Sequence, residues 1–402
     1  MVLTSLEGQS GLPRYFARVH AVASKMSCGR LDFVLPDGRR FRTEGRTAGP
    51  VAELRICNPD IFGRLIREGD LGFCDAYLDG WWETPDLMAF LDLLHANEEL
   101  FDGFPGMGLV RAYERLRFWL HSNSRAQARR NISYHYDLGN EFYGLWLDDT
   151  MTYSSALFET GQESMEKAQI AKYASMVDQM GVKPGDHVLE IGCGWGGFAE
   201  YAARERGLKV TGLTISAEQL RYAQERIARA GLSDQVELKL QDYRDEKGHY
   251  DGIASIEMFE AVGEKYWPVF FDTLRNRLRP GKTATLQIIT VQDARWEVYR
   301  KGVDFIQKYI FPGGMLPSRS ALVAEIEKAG LSVLRSVEFG ESYSQTLRRW
   351  HETFNARWDE VAELGFDDRF RRMWNFYLTS CAATFHSGNC DVTQITLRRP
   401  AA

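Results

Sequence analysis

The feature that most constrains the fold is a glycine-rich turn within residues 188–197, which read VLEIGCGWGG. An apolar strand runs into the pattern GxGxGG, and a helix follows. Such glycines let the backbone approach a ligand closely, and the start of the helix offers free N–H groups. Helices alternate with apolar strands, which we expect at 187–191, 209–213, 236–240, 252–256 and 283–289. This alternation predicts an α/β fold with a doubly wound, mostly parallel sheet.

Two polar positions near the turn indicate which ligand it binds. Glu190 ends the first strand directly before the glycines, which suits a cofactor with a cationic amino group, such as S-adenosylmethionine (SAM). The second strand ends in Thr214, whereas a dinucleotide fold needs an acidic residue there to bind the ribose. The absence of that acidic residue argues against NAD.

Charge is distributed unevenly along the chain. The 402 residues carry a formal net charge of −6, which by itself predicts neither nucleic-acid nor membrane binding. Residues 111–130, however, hold six Arg and one Glu, with aromatic residues between them. This segment is either a solvated linker between domains or a surface that meets anionic lipid headgroups. The predicted division is an accessory α+β domain at 1–110, this linker at 111–130 and a catalytic domain at 131–402.

Targeting and metal-binding signals are not evident. No uninterrupted run of 18 apolar residues and no secretory pattern occurs, and the six Cys form no CxxC pair. We therefore expect reduced thiols, no metal site and a cytoplasmic location.

The chain resembles the cyclopropane-fatty-acyl-phospholipid synthase family, which includes the mycolic acid cyclopropane synthases. The resemblance rests on motifs in family order, beginning with YHYDLGN at 134–140 and MTYS at 151–154. It continues through the glycine turn to GLTIS at 212–216, QDYR at 241–244, SIEMFEAVG at 255–263 and FPGG at 311–314. The resemblance implies a Rossmann-like class I SAM methyltransferase fold.

The implied reaction transfers the methyl group of SAM to the cis double bond of an unsaturated phospholipid acyl chain. A carbocation forms on the chain, aromatic faces stabilise it, and a base then removes a proton. Residues carried over by motif as SAM contacts are Tyr153, Ser154, Gly192, Gly194, Thr214, Gln219, Asp242 and Tyr243. Glu190 joins this set because of its place before the glycines.

In the family the base is a bound bicarbonate, held by Cys, Glu, His and Tyr side chains. Glu260 and Tyr343 match two of these positions, whereas Ser155 replaces the Cys and Gln287 replaces the His. Ser and Gln still donate hydrogen bonds, but Gln287 never carries the charge that His can. Either bicarbonate or Glu260 itself then accepts the proton.

An aromatic cluster between the last predicted parallel strand and FPGG is either hydrophobic core or the wall of an acyl tunnel. The residues that we assign to the pocket are Tyr299, Phe305, Tyr309 and Phe311.

The altered anion shell favours a methyl-branched product, either a methylated alkene or a methylene branch, although a cyclopropane shares the same first step. Two other functions are open: a small-molecule amine N-methyltransferase, or a non-catalytic SAM- or lipid-binding homologue. Partners under the main interpretation are the unsaturated phospholipid, the anionic inner membrane face as a peripheral contact, and a second copy in a homodimer. No nucleic-acid partner is expected.

Overall fold

The computed structural model describes residues 2–101, 114–115, 127 and 138–401. Most of the Arg-rich segment 111–130 and most of the motif 134–140 therefore lie outside the described residues.

The N-terminal part of the chain forms a small mixed sheet with helices packed against it. Among the described residues the strand order is β1-β3-β2-β4-β5. The strands are β1 Val2–Leu3, β2 Cys28–Val34, β3 Arg40–Glu44, β4 Thr47–Ile56 and β5 Trp82–Glu83. The helices are α1 Phe16–Ala23, α2 Ile61–Leu78, α3 Leu87–Ala96 and α4 Glu98–Phe101. Before α2, the side chain of Asn58 accepts the N–H of Asp60 at 3.0 Å, and the helix begins at Ile61.

The larger sheet has the order β11-β12-β10-β9-β6-β7-β8 in the described part of the chain. Its strands are β6 His187–Ile191, β7 Lys209–Thr214, β8 Val236–Leu240, β9 Tyr250–Ile256, β10 Leu278–Val291, β11 Ser332–Glu338 and β12 Cys390–Arg398. The run from β10 to β8 is parallel, whereas β12 lies antiparallel between β10 and β11. The predicted α/β class with a mostly parallel sheet is confirmed.

Helices cover both faces of this sheet because its buried strands alternate their side chains between two cores. Val188 packs with one group of helices, whereas its neighbour Leu189 packs with the other. The helices of this part are α5 Asn140–Gly144, α6 Met165–Met180, α7 Gly197–Arg206, α8 Ala217–Arg229, α9 Trp267–Arg277, α10 Asp293–Tyr299, α11 Phe305–Tyr309, α12 Arg319–Lys328, α13 Gly340–Ala356, α14 Trp358–Glu363 and α15 Asp368–His386.

The two parts share a continuous apolar core, in which residues of the small sheet and α3 pack with α13 and α15. A polar contact also joins them: Asp75 of α2 accepts a hydrogen bond from the Tyr309 hydroxyl at 2.6 Å and pairs with Lys308 at 3.0 Å. Of the helices that the structure describes, none combines the length and apolarity needed to cross a bilayer.

Candidate active site

A cavity of about 670 Å³ opens at the carboxyl ends of the parallel strands. Loops after these strands converge there because all of them end at the same edge, where ligands bind in open α/β sheets. The cavity is lined by every residue that the sequence assigns to SAM, namely Tyr153, Ser154, Glu190, Gly192, Gly194, Thr214, Gln219, Asp242 and Tyr243.

The glycine turn is hydrogen-bonded to the end of β7 and packs against the loop after β9. The N–H groups of Gly192 and Cys193 both donate to the carbonyl of Leu213 at 2.9 Å. Gly192 has φ 86°, and a Cβ there would lie 2.8 Å from Cγ of Met258. Only glycine fits this position, since the turn needs both a left-handed backbone and the close approach of the loop after β9.

In the part of the chain that the structure describes, the buried carboxyl group of Glu190 lacks a partner for one of its oxygens. Its side chain is 3% exposed, and among the described residues Oε2 has no hydrogen-bond partner. Burial raises the pKa of Glu190 to about 8, although Arg226 and Lys172 oppose the shift. The amino group of SAM would supply both a positive charge and a donor to this oxygen, so the residues present fit this cofactor.

Polar residues at the end of β7 and after β8 form hydrogen bonds with neighbouring side chains. The Thr214 hydroxyl donates to Oε1 of Gln219 at 3.0 Å. Both carboxylate oxygens of Asp242 accept from the guanidinium of Arg244, at 2.8 and 2.6 Å. These contacts fix the side chains at the cavity surface, where the adenosine end of SAM is expected.

Lys172 of α6 is a residue that the sequence reasoning missed. Its ammonium group is fully buried and donates to the Ser154 hydroxyl at 2.7 Å. Burial lowers the pKa of Lys172 to about 7, whereas Glu257, Asp148 and Glu190 oppose the shift. The sequence of a helix does not show whether a lysine in it is buried, so this contact could be recognised only in the folded structure.

Glu260 and Tyr343 both line the cavity. Oε1 of Glu260 accepts the N–H of Ile289 at 2.6 Å, whereas Oε2 has no partner among the described residues. Burial, with the nearby Glu257 carboxylate, raises the pKa of Glu260 to about 8.

Ser155 and Gln287 lie behind the cavity surface rather than on it. The Ser155 hydroxyl, expected to face an anion, instead donates to the carbonyl of Ala156 at 2.9 Å. Its backbone N–H donates to Oε1 of Glu257 at 2.8 Å, and the Gln287 amide donates to the same oxygen at 2.8 Å. Glu257 is thus a second residue that the sequence reasoning missed. Its position directly after β9, at the carboxyl edge, is the signal that points to it.

The four aromatic residues assigned to the acyl pocket separate into two pairs. Tyr299 and Phe311 line the cavity. Phe305 and Tyr309 do not: Phe305 packs on the ring of Phe376 at 4.7 Å, and Tyr309 faces the N-terminal part through Asp75. The helical spacing of 305 and 309 places them on one face of α11, but that face meets the neighbouring part of the protein instead of the cavity.

The family model for mycolic acid cyclopropane synthetase matches residues 123–395. The chain belongs to this family. A tuberculostearic acid methyltransferase of Mycobacterium tuberculosis, UfaA1, is 41% identical over 355 residues, which are 86% of this chain and 83% of that protein. The cyclopropane-fatty-acyl-phospholipid synthase of Escherichia coli is 38% identical over 349 residues, which are 87% and 88% of the two chains.

Solved structures agree with the family assignment. The mycolic acid cyclopropane synthase CmaA1, crystallised with S-adenosylhomocysteine (SAH) and CTAB, is 31% identical, with a TM-score of 0.63 over 67% of this chain and 97% of that chain. A coclaurine N-methyltransferase is 18% identical with a TM-score of 0.65, which shows a shared fold alone. Family and fold together make the chain a SAM-dependent methyltransferase.

Proposed function

We propose that this protein methylates the cis double bond of an unsaturated phospholipid acyl chain. The observation that carries the proposal is that one cavity joins the glycine turn to an aromatic wall and to the carboxylates of Glu190, Glu257 and Glu260. An alkene is a weak nucleophile, so it must be held in line with the methyl donor and away from water. SAM, when bound, supplies the electrophilic methyl group.

The chain's own side chains suit the cation that follows. Tyr153, Phe311 and Tyr377 line the cavity. The ring centroid of Phe311 lies 6.5 Å from that of Tyr153 and 6.2 Å from that of Tyr377. Aromatic faces attract a cation without forming a bond to it. The Tyr153 and Tyr377 hydroxyls contact each other at 2.7 Å, which fixes the orientation of both rings.

The alternatives fit less well. Oε2 of Glu260 faces the cavity without a partner in the described structure, an arrangement that a non-catalytic homologue does not need. The curated relatives with high identity carry names of fatty-acyl methyltransferases and cyclopropane synthases, which supports the lipid substrate.

The decisive experiment incubates the protein with methyl-¹³C SAM and vesicles of dioleoyl phosphatidylglycerol. Label in the lipid supports the proposal, and its absence from every unsaturated lipid contradicts it. Proton NMR then identifies the product. Upfield ring protons indicate a cyclopropane. A new methyl signal on a trisubstituted alkene, or vinylidene protons without a new methyl signal, indicates one of the two branched products that we favour.

Four further points belong to this proposal. We infer peripheral contact with the anionic inner membrane face through 111–130, a homodimer and the domain limits given above. The base that removes the proton is either a bicarbonate ion or a carboxylate of the chain itself. The basic composition of 111–130 supports the membrane contact. Flotation with anionic and with zwitterionic vesicles tests it: binding to anionic vesicles alone is expected, and equal or no binding contradicts it.

A further inference from the structure

The Glu257 carboxylate occupies an unusual backbone position beside the candidate active site. It directly follows β9 and has φ 46°, a left-handed conformation that costs energy for a residue with a side chain. Its own N–H is fixed by a 2.8 Å hydrogen bond to the carbonyl of Gln287. The next residue, Met258, packs on Gly192 of the cofactor turn. The strained backbone therefore holds a carboxylate at the cavity wall, next to the glycine turn.

Two donors converge on that carboxylate, and a hydroxyl lies near it. Its Oε1 accepts the Ser155 N–H and the Gln287 amide, each at 2.8 Å, and Tyr343 lies close enough to interact electrostatically with the same side chain. Positions 155, 287 and 343 are three of the four that the family resemblance assigns to a bicarbonate ion. In this chain they surround a carboxylate that belongs to the protein itself.

Glu260 occupies the fourth of these positions. Glu260 also faces the cavity, with Oε2 unpartnered in the described structure. A free anion placed between Glu257 and Glu260 would put three acidic groups together in a buried site, where like charges disfavour one another strongly. Lys172 is the cation that offsets the charge of Glu257, and its ammonium group already donates to Ser154.

We propose that Glu257 is the general base of this enzyme and takes the place of bicarbonate. The inference rests on the proposed function. After the methyl group has bonded to one alkene carbon, the cation lies on the other. A C–H bond then breaks, its electron pair closes a C=C bond or a ring bond, and the proton goes to a carboxylate oxygen of Glu257. Deprotonation of a carbocation is downhill for any carboxylate, so the placement of Glu257 decides which proton leaves.

The first test uses the unaltered protein. Transfer of label from methyl-¹³C SAM to dioleoyl phosphatidylglycerol vesicles is measured in buffer freed of carbon dioxide and again with added bicarbonate. We expect rates that agree within about twofold, because the base is covalently attached. A large loss of rate without bicarbonate, restored on its addition, overturns the proposal.

The second test removes the carboxylate. Glu257→Gln keeps an oxygen that accepts the Ser155 N–H but cannot take a proton, so we expect a fall in turnover of about 100-fold or more. Binding of SAH, measured by calorimetry, stays unchanged. Glu257→Gly removes the backbone strain and leaves room for an anion, so added formate or bicarbonate restores part of its turnover. Glu360→Gln is the matched control, since Glu360 is an exposed carboxylate paired with Arg357, and it keeps full activity.

The outcomes separate this inference from the proposed function. Label in the lipid with full activity of Glu257→Gln rejects Glu257 as the base and leaves the lipid reaction standing. No label in any lipid with the unaltered protein rejects the proposed function instead. If Glu257→Gln no longer binds SAH, the bicarbonate experiment on the unaltered protein decides the question alone.

Discussion

The side-chain amide of Gln287 donates a 2.8 Å hydrogen bond to Oε1 of Glu257 and accepts one at 3.1 Å from Gln394. Gln394 on β12 thus fixes which end of the Gln287 amide points toward the carboxylate. The donated hydrogen bond stabilises the ionised form of Glu257, in opposition to burial, which raises its pKa. An uncharged glutamine is sufficient here because the carboxylate is part of the chain and does not have to be recruited from solution.

Gln287→Met tests this relationship through the pH profile. The change removes a donor to Glu257 at similar volume, so the pKa of Glu257 rises further. The base must be ionised to act, so the rising limb of turnover against pH moves to higher pH. Lys172, Glu260 and Tyr343 also face Glu257 and stay in place. Gln224→Ala, at an exposed position on α8, serves as the control. An unmoved profile in a folded Gln287→Met variant would show that the amide does not act on the base.

Glu190 predicts a pH dependence of SAM binding. Burial raises its pKa to about 8 in the absence of a ligand cation, whereas the amino group of SAM favours the ionised form. Below pH 8 binding must therefore release a proton, so the Kd for SAM falls as pH rises from 6 to 7.5, by up to about tenfold per unit. Arg226 and Lys172 are the charged groups that act on Glu190.

Calorimetry in buffers of different ionisation enthalpy measures the released proton. Glu190→Gln is expected to weaken SAM binding by about 10- to 100-fold and to abolish its pH dependence. Methylthioadenosine, which has no amino acid part, is the matched ligand and should bind both proteins alike. An equal loss of affinity for both ligands would indicate that the pocket has collapsed and that Glu190 does not pair with the amino group.

The two pairs of aromatic residues give opposite expectations. Phe311→Leu removes an aromatic face from the cavity, so turnover falls by about 3- to 30-fold while SAH affinity is kept. Phe305→Leu changes a ring that packs on Phe376 away from the cavity, so it lowers the melting temperature and leaves turnover unchanged. Steady-state rates with saturating lipid and thermal melts of both variants decide between the two positions. Equal effects on turnover would contradict the separation seen in the structure.

Asp75→Asn probes the contact between α2 of the N-terminal part and α11 of the larger part. The change removes the ion pair with Lys308, which is largely buried, and weakens the hydrogen bond from Tyr309. We expect a fall of about 2–4 °C in melting temperature, with unchanged SAH binding. Asp37→Asn, at an exposed turn, is the control and should melt like the unaltered protein. A melting temperature equal to that of the control would mean that the contact contributes nothing to stability.

The sequence by itself determined the α/β architecture and the edge of the sheet at which the cavity opens; the SAM contacts implied by the family resemblance stay a prediction, and all of them line that cavity. The architecture and this edge follow from local patterns, because an apolar strand, a glycine turn and a helix are specified by residues adjacent in the chain. The strand β6, from His187 to Ile191, has the bounds expected from sequence.

Only the tertiary structure decided what the acidic and aromatic side chains face. The aromatic residues at 305 and 309 share a helix face, but sequence periodicity cannot say which neighbour that face meets. Glu257 looks like an ordinary polar residue after a strand. It becomes a candidate base because Ser155 and Gln287, which are far apart in the chain, both donate to one carboxylate at the cavity wall. Local sequence does not encode such convergence, since it depends on how distant segments pack.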